Sequence, residues 1–300
     1  MEQNIRKELI RLTINCNANC LFCNFARENE INFINPSNQE IYITIDNLAD
    51  KNVDYLIFSG GEPLLNESII HFIKYAKAQG FKDLELQTNA LLLNEKNIDS
   101  LKAGGLNRLF ISLHTHNKLI NKKIFSSPYD LGFVVNNIKL ANKKGFKIAL
   151  NPVVNKLTYK TLPGFAKFIV VNFPWLESVS LSVIQPHGRA LFNNYLLPDY
   201  NEISKYVKYF RDYILIKSDI KIINPYCGLP MCIGDWYKYP QDNVEYIENL
   251  HKPQSDANKK HTAICSRCKF EGFCNGIWNE YLQIFGEPRI NQWLKPIKMH

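Results

Sequence analysis

The chain has 300 residues, of which 46% are hydrophobic and 12% aromatic, and a formal net charge of +8. This composition excludes a disordered chain and a small domain that depends on disulfides, because it supplies a full hydrophobic core. No apolar run reaches the length of a membrane span and no signal peptide opens the chain, so we expect a cytoplasmic protein. Thiols stay reduced there, and the eight cysteines therefore indicate metal or redox chemistry.

The positive charge comes from lysines spread over predicted helix faces. Such a surface favours solubility and attracts anionic small molecules. A nucleic-acid-binding surface would show a basic stripe interleaved with aromatic residues, and the sequence has none. Nucleic acid is therefore not an expected partner.

Three cysteines follow the first predicted strand. Cys16, Cys20 and Cys23 are spaced C-x3-C-x2-C. Thiolates bind soft metals, and iron–sulfur clusters are held mostly by cysteine sulfur. A four-iron cluster on three protein ligands keeps one iron open, as catalytic metal sites keep an open position. Zinc and a disulfide are the alternatives, although zinc sites favour paired C-x2-C knuckles from separated hairpins.

Short β-rich runs alternate with amphipathic helical runs along most of the chain. The predicted strands are Leu9–Ile14, Tyr55–Ser59, Asp83–Thr88, Arg108–Leu113, Lys147–Val153 and Ser178–Ile184. This alternation predicts parallel strands with right-handed crossovers. Six strands are two short of a closed barrel of eight, so we predict the α/β class and an open, partial (β/α)6 TIM-like barrel. Functional residues of such a barrel lie at the carboxyl ends of its strands.

Two segments depart from this alternation. Asn24–Thr44 is polar and irregular, which predicts a lid, a substrate loop or a long linker. From Tyr226 the composition shifts towards Cys, Trp, Tyr and Pro, which predicts a second module. We therefore expect a barrel domain over residues 1–215 and a small cysteine-rich iron–sulfur module over residues 216–300.

A glycine-rich turn, Ser59-Gly60-Gly61-Glu62-Pro63, follows the second predicted strand. Two glycines let the backbone approach a ligand closely and adopt positive φ. Their carbonyls can accept hydrogen bonds from an ammonium group. A plain turn is the alternative, because paired glycines are common.

The cysteine loop and the Gly60-Gly61-Glu62-Pro63 turn together resemble the radical S-adenosylmethionine (radical SAM) superfamily. The resemblance implies a [4Fe–4S] cluster on Cys16, Cys20 and Cys23, whose open iron binds S-adenosylmethionine. It also implies a flavodoxin- or ferredoxin-type reductant and cleavage to a 5′-deoxyadenosyl radical. Phe22 would lie beside the adenine. Gly60, Gly61, Glu62 and Pro63 would lie at the amino group.

Further strand ends match the family in part. Gln87-Thr88-Asn89 is similar to the family's Thr-Asn-Gly, with Ala90 in place of the glycine, and Asn89 is a candidate cofactor contact. Ser112 is the candidate partner of the ribose. His114 stands where relatives often have Asp, which puts any acidic role there in doubt. That histidine could carry a proton near neutral pH or be structural.

Two candidate contacts follow the last two strands of the predicted barrel. Asn151 at the end of the fifth strand either contacts the cofactor or packs ordinarily. Arg189 lies in a segment that resembles the P-x-G-R-A segment of many relatives. Its guanidinium could pair with the cofactor's carboxylate or with a surface carboxylate of the chain.

The remaining cysteines are Cys227, Cys232, Cys265, Cys268 and Cys274. The last three resemble the C-x2-C-x5-C core of the SPASM extension, in which further cysteines hold two clusters. Here Trp278 stands where another cysteine is expected. Five thiolates can close one four-iron cluster, so we predict one auxiliary [4Fe–4S] cluster in a shortened, twitch-like module. We expect Cys265 and Cys268 to be ligands, joined by one or both of Cys227 and Cys232. The fifth cysteine could be a hydrogen-atom donor, a ligand in place of Cys274 or a bystander, and zinc is the alternative metal.

The substrate prediction rests on the same resemblance. We expect modification of a ribosomally synthesised peptide, by crosslinking, epimerisation or oxidation. The alternatives are a small metabolite, such as an amino-sugar or antibiotic precursor, and a non-catalytic iron–sulfur or zinc scaffold. Because Cys16 stands near the amino terminus, we expect no leader-recognising unit before the barrel, which weakens the peptide prediction. The auxiliary cluster would accept the substrate's electron or bind the substrate.

Overall fold

The computed structural model describes residues 6–25, 34–128, 130–251 and 257–298. They divide into two compact units. The first unit takes the chain up to Leu113 together with Asn121–Leu150. The second takes His114–Ile120 and the chain from Asn151 onwards.

The first unit is built on five parallel strands that neighbour one another in chain order. They are β1 (Lys7–Thr13), β2 (Tyr55–Gly60), β3 (Asp83–Thr88), β4 (Arg108–Ile111) and β5 (Lys147–Leu150). The intervening helices are α1 (Asn38–Asp50), α2 (Ile69–Ala78), α3 (Glu95–Gly104), α4 (Lys118–Phe125) and α5 (Leu131–Lys143). Leu56, Phe58 and Leu86 are fully buried on this sheet, as parallel strands covered by helices require. The predicted α/β class is confirmed.

Helix α1 lies where the sequence predicted an irregular connection, and it corrects that prediction. Ser37 caps it: the Ser37 hydroxyl accepts a hydrogen bond from Glu40 N, and the Glu40 side chain accepts from Ser37 N. This reciprocal capping box satisfies two backbone donors at the helix start. Ile41 and Ile45, one turn apart, form its buried face. Residues 26–33 of the predicted connection lie outside the described residues.

The second unit contains two parallel strand pairs. β6 (Val153–Val154) pairs with β8 (Ser182–Val183), and β7 (Ser178–Ser180) pairs with β9 (Lys221–Ile223). Its helices before β9 are α6 (Leu162–Asn172), α7 (Arg189–Phe192) and α8 (Tyr200–Lys217).

The fifth and sixth predicted strands are therefore each interrupted, which corrects their predicted length. Pro152 has no N–H to donate to a ladder, and it lies between the end of β5 and the start of β6. Leu181 N donates to Ile223 O at 2.9 Å, whereas Ser182 N donates to Pro152 O at 3.1 Å. The chain thus changes its pairing partner between these two residues.

The carboxyl-terminal part of the second unit contains little regular structure. It comprises α9 (Val244–His251), the antiparallel strands β10 (Lys259–Lys260) and β11 (Ile277–Trp278), α10 (Asn279–Phe285) and α11 (Glu287–Trp293). Large aromatic side chains stabilise it: Tyr200 lies with its ring centroid 4.7 Å from Tyr281 and 5.6 Å from Trp293. The cysteine-rich region is present, and its boundary near residue 216 stays a prediction. Of the helices that the structure describes, none combines the length and hydropathy that a bilayer crossing demands.

Candidate active site

The cysteine loop of the first unit follows β1 and is anchored through its main chain. Asn19 N donates to Phe125 O at 2.8 Å, and Leu21 N donates to Ile124 O at 2.9 Å, at the end of α4. Cys16 Sγ accepts a hydrogen bond from Ala18 N at 3.4 Å. Hydrogen bonds to cysteine sulfur are among the contacts by which proteins tune iron–sulfur clusters.

The glycine turn packs directly on the backbone that leads into this loop. Gly61 N donates to Thr13 O at 2.7 Å, and Glu62 N donates to Asn15 O at 2.8 Å. A Cβ atom on Gly61 would lie 2.2 Å from Asn15 O. One on Gly60, where φ is +137°, would lie 2.3 Å from Thr13 O. Only glycine fits at either position, and the turn therefore fixes the chain directly before Cys16.

Glu62 is fully buried and directs its carboxylate at the end of β3. The carboxylate accepts hydrogen bonds from Thr88 Oγ1 at 2.8 Å and from Asn89 N at 2.9 Å. Desolvation raises the pKa of Glu62 to about 7. The hydrogen bonds to its carboxylate oppose this shift. The side chain connects the glycine turn to the next strand end. Its predicted place at the cofactor's amino group stays a prediction.

Asn89 continues this connection into the cysteine loop. Its Nδ2 donates to Asn17 Oδ1 at 2.7 Å and lies 3.9 Å from Cys16 Sγ. Ala90, in place of the family's glycine, has a φ of 62°. This left-handed conformation costs a residue with a Cβ atom roughly 1–2 kcal/mol. This strained residue directly follows Asn89, whose side chain contacts the cysteine loop.

The other predicted residues of this unit lie at the same strand ends. Phe22 is partly exposed on the loop, Pro63 is buried at the start of a short 3-10 helix, and Ser112 N donates to Thr88 O at 3.0 Å. The first unit thus contains the following predicted residues: Cys16, Cys20, Phe22, Cys23, Gly60, Gly61, Glu62, Pro63, Asn89 and Ser112. Asn151 and Arg189 belong to the second unit, where Arg189 begins α7 and is partly exposed.

Asn151 is joined to Cys227 by a chain of hydrogen bonds through Ser182. Ser182 Oγ donates to Asn151 Oδ1 at 2.7 Å, and Cys227 Sγ donates to Ser182 Oγ at 3.2 Å. Because the serine gives its single hydroxyl hydrogen to the amide oxygen, Cys227 supplies an S–H. Burial raises the pKa of the Cys227 thiol, which is consistent with the protonated form.

His114 is buried and holds the chain that follows β5. Its Nδ1 accepts a hydrogen bond from Val153 N at 3.2 Å. Burial lowers the pKa of His114 to about 4, and a hydrogen bond with the backbone of Asn151 opposes this shift. The ring is therefore neutral at pH 7, which favours the structural interpretation over a proton carrier.

This lowered pKa predicts acid-induced loss of stability. The unfolded chain binds the His114 proton below about pH 6.5, whereas the folded protein excludes it down to about 4, so stability present above pH 6.5 is lost as the pH falls. The loss amounts to about 3 kcal/mol. We expect His114→Asn, which keeps an acceptor, to lack this part of the decline in urea unfolding of cluster-free protein between pH 7.5 and 4.5. An equal decline in both proteins would contradict the assignment.

Four of the five carboxyl-terminal cysteines line one cavity. They are Cys232, Cys265, Cys268 and Cys274. Met231, Phe270 and Leu294 also line this cavity, and its wall is mostly apolar. Cys227 is not part of the lining. An apolar shell of this kind limits solvent access to a metal group.

The cavity sulfurs accept hydrogen bonds from backbone N–H groups. Cys268 Sγ accepts from Ile297 N at 3.4 Å, and Cys274 accepts from the backbone of Met231 and of Gly276. Desolvation raises the pKa of Cys232 to about 11 and that of Cys274 to about 12. Such thiols ionise when positive charge lies beside them, and a bound metal would supply that charge.

Iron–sulfur clusters are held mostly by cysteine thiolates, and the four cysteines of this cavity are donors of that type. No three His, Cys, Asp or Glu side chains among the residues described converge to hold a single metal ion.

The family model described as the Radical SAM superfamily matches residues 10–169 of the chain. The GTP 3′,8-cyclase of Aquifex aeolicus is 35% identical over 187 residues, which cover 58% of this chain and 57% of that enzyme. A probable GTP 3′,8-cyclase of Methanocaldococcus jannaschii is 28% identical over 245 residues, which cover 77% of this chain and 80% of the relative. The match to the Aquifex enzyme thus spans little more than half of that relative's length.

Solved structures show the same fold at low identity. SuiB of Streptococcus suis aligns with a TM-score of 0.58 and 17% identity over 72% of this chain and 48% of its own. Methylornithine synthase (PylB) aligns with a TM-score of 0.58 and 15% identity over 73% of this chain and 64% of its own. At these identities the likeness concerns the fold alone.

Proposed function

Because the chain belongs to the radical SAM superfamily, we propose that it cleaves S-adenosylmethionine reductively and uses the 5′-deoxyadenosyl radical to abstract a substrate hydrogen. The observation that carries this proposal is the packing of the glycine turn on the cysteine loop, with Gly61 N donating to Thr13 O at 2.7 Å. It supports Cys16, Cys20 and Cys23 as the ligands of a cluster with one open iron.

The chain's own residues orient the reacting groups. When bound, the cluster supplies the electron and the coordination position for S-adenosylmethionine. The carbonyls of Gly60 and Gly61 would accept hydrogen bonds from its ammonium group, and Asn89 holds the cysteine loop through Asn17. Phe22, Pro63, Ser112, Asn151 and Arg189 are the further residues that we propose for its binding. A flavodoxin- or ferredoxin-type protein is the electron donor.

The second part of the proposal is one auxiliary four-iron cluster in a twitch-like module over residues 216–300, beside a barrel over residues 1–215. Its ligands are Cys232, Cys265, Cys268 and Cys274, and the cavity that they line supports this set. Cys227 is the fifth cysteine and remains a thiol. Four thiolates close the cluster, as in structural metal sites, which favours electron transfer over substrate binding at an iron.

The substrate that we propose is a peptide, and the auxiliary cluster, when bound, would accept one electron from the substrate radical that hydrogen abstraction leaves. The C-x2-C-x5-C segment and the four-cysteine cavity support this choice. A guanine nucleotide is the second candidate, because two relatives are GTP 3′,8-cyclases by name. The net charge of +8 suits an acidic peptide and a nucleotide equally.

The reaction is tested anaerobically with S-adenosylmethionine and dithionite. We expect 5′-deoxyadenosine from reconstituted wild-type protein and none from Cys16→Ala, with chromatography as the measurement. A reconstituted wild-type protein that forms no 5′-deoxyadenosine would support a non-catalytic scaffold instead.

The substrate class is tested by stimulation of the same reaction. A low-molecular-mass extract of the source cells is added before and after digestion, either with a nonspecific protease or with a phosphatase, and GTP is added separately. We expect the protease to destroy the stimulation. Stimulation by added GTP would assign the nucleotide. Loss of the extract's stimulation after phosphatase treatment would assign it as well. Stimulation that survives both digestions would assign a small metabolite without a phosphate ester.

A further inference from the structure

The peptide group between Cys274 and Asn275 is held on both sides by side chains of the second unit. His261 Nε2 donates to Cys274 O at 2.5 Å. Asn275 N donates to Glu245 Oε2 at 3.0 Å. Asn249, one turn further along α9, donates from Nδ2 to Asn275 Oδ1 at 2.9 Å. The orientation of this peptide group is therefore fixed by its oxygen, by its N–H and by the following side chain.

Glu245 is buried and its charge is balanced by an equally buried lysine. Lys259 Nζ forms an ion pair with Glu245 Oε1, and the two side chains are only 4% and 10% exposed. The ammonium group also donates to Tyr226 O and lies 4.2 Å above the Tyr226 ring and 4.5 Å above the Trp278 ring. Hydrogen bonds and aromatic rings thus surround much of this pair.

A buried ion pair is weak evidence for stability, because well-packed apolar residues often stabilise a fold equally well. The position of this pair indicates another role. Glu245 contacts the residue directly after a cavity cysteine. On the other side of that residue, a Cβ atom on Gly276 would lie 2.3 Å from Lys260 O, so the chain after Cys274 is closely packed as well.

We propose that Glu245, neutralised by Lys259, is a positioning residue that fixes Cys274 as the fourth ligand of the auxiliary cluster. His261 fixes the same peptide group from its carbonyl side. The inference rests on the proposed auxiliary cluster. The partners of metal ligands commonly orient them in this way, and their loss weakens metal binding about 10–100-fold.

The test uses the full chain with Cys16, Cys20 and Cys23 all changed to alanine, so that only the auxiliary cluster contributes iron. In this background we expect about four irons per chain. Glu245→Leu removes the acceptor of the Asn275 N–H group. We expect that variant to bind iron about 10–100-fold more weakly and to retain fewer than about four irons per chain after desalting.

Two variants separate positioning from charge and from general damage to α9. Glu245→Gln with Lys259→Met keeps an acceptor for Asn275 N without the ion pair, and we expect it to retain about four irons. Glu248→Leu changes an exposed glutamate of the same helix, and we expect no loss of iron.

His261→Ala tests the inference at an exposed position, where the substitution does not endanger folding. We expect a chelator to remove iron about tenfold faster from this variant. Four retained irons in Glu245→Leu together with an unchanged rate in His261→Ala would overturn the inference. Equal iron loss in Glu248→Leu, or in the neutral double variant, would overturn it as well. A background protein that binds no iron would instead refute the auxiliary cluster itself.

Discussion

Changing Gly61 to alanine lowers the formation of 5′-deoxyadenosine at least about a hundredfold, the effect of displacing reacting groups by about 1 Å. A Cβ atom at this position would lie 2.2 Å from Asn15 O and 2.7 Å from Ile14 O. Both contacts are with backbone, which no rotamer change can relieve. The cysteine loop must therefore move away from the glycine turn, and its thiolates move with it.

The measurement is 5′-deoxyadenosine formed per reconstituted chain, together with the iron content. Gly272→Ala is the matched control, because nothing lies within 4 Å of an added Cβ atom there and Gly272 is not among the glycines with positive φ. We expect that control to retain wild-type activity. A Gly61→Ala protein with more than about a third of wild-type activity would mean that the loop does not depend on this packing.

The second large effect distinguishes two cysteines that lie five residues apart in the sequence. Wild-type protein with both clusters holds about eight irons. We expect Cys232→Ala to lose the auxiliary cluster and retain about four, because this cysteine lines the shared cavity. Cys227→Ser should keep about eight, because its sulfur donates to Ser182 Oγ instead of facing that cavity.

Iron and sulfide analysis after anaerobic reconstitution provides the measurement. Cys232→Ala should still form 5′-deoxyadenosine, because Cys16, Cys20 and Cys23 are intact, yet it should not complete the oxidation of substrate. Equal iron loss from both variants would make Cys227 a ligand. Zinc in place of iron in the wild-type protein would refute the auxiliary cluster.

The strand–helix alternation could be predicted from the sequence, because each strand is a local apolar run that ends in polar residues. Helix α1 was missed because its exposed face carries Ile43 and Thr44, β-branched residues that do not favour helix. The available signal was the capping box, a serine followed three residues later by glutamate. The interruption at Pro152 could likewise have been predicted from its missing N–H group.

Cysteine spacing predicted the two groups of thiols but not the spare cysteine. The choice depends on where each sulfur points, and Cys227 is directed by Ser182, which lies 45 residues away. Asn17, Glu245 and His261 were not singled out either, because their partners are also distant in sequence. The burial of Glu62 has the same origin, since two of its donors, Thr88 and Asn89, lie beyond the next helix. Spacing along the chain does not determine such tertiary contacts.

The anchoring of the cysteine loop also sets the order of events during synthesis. The loop near Cys16 is held by the Gly61 turn, by Asn89 and by the carbonyl of Phe125. Since these partners are spread over more than a hundred residues, the nascent chain cannot complete the loop until α4 has emerged from the ribosome. We therefore expect the three thiols to leave the ribosome without bound iron, and cluster insertion to follow the folding of the strands and helices between Cys23 and Phe125.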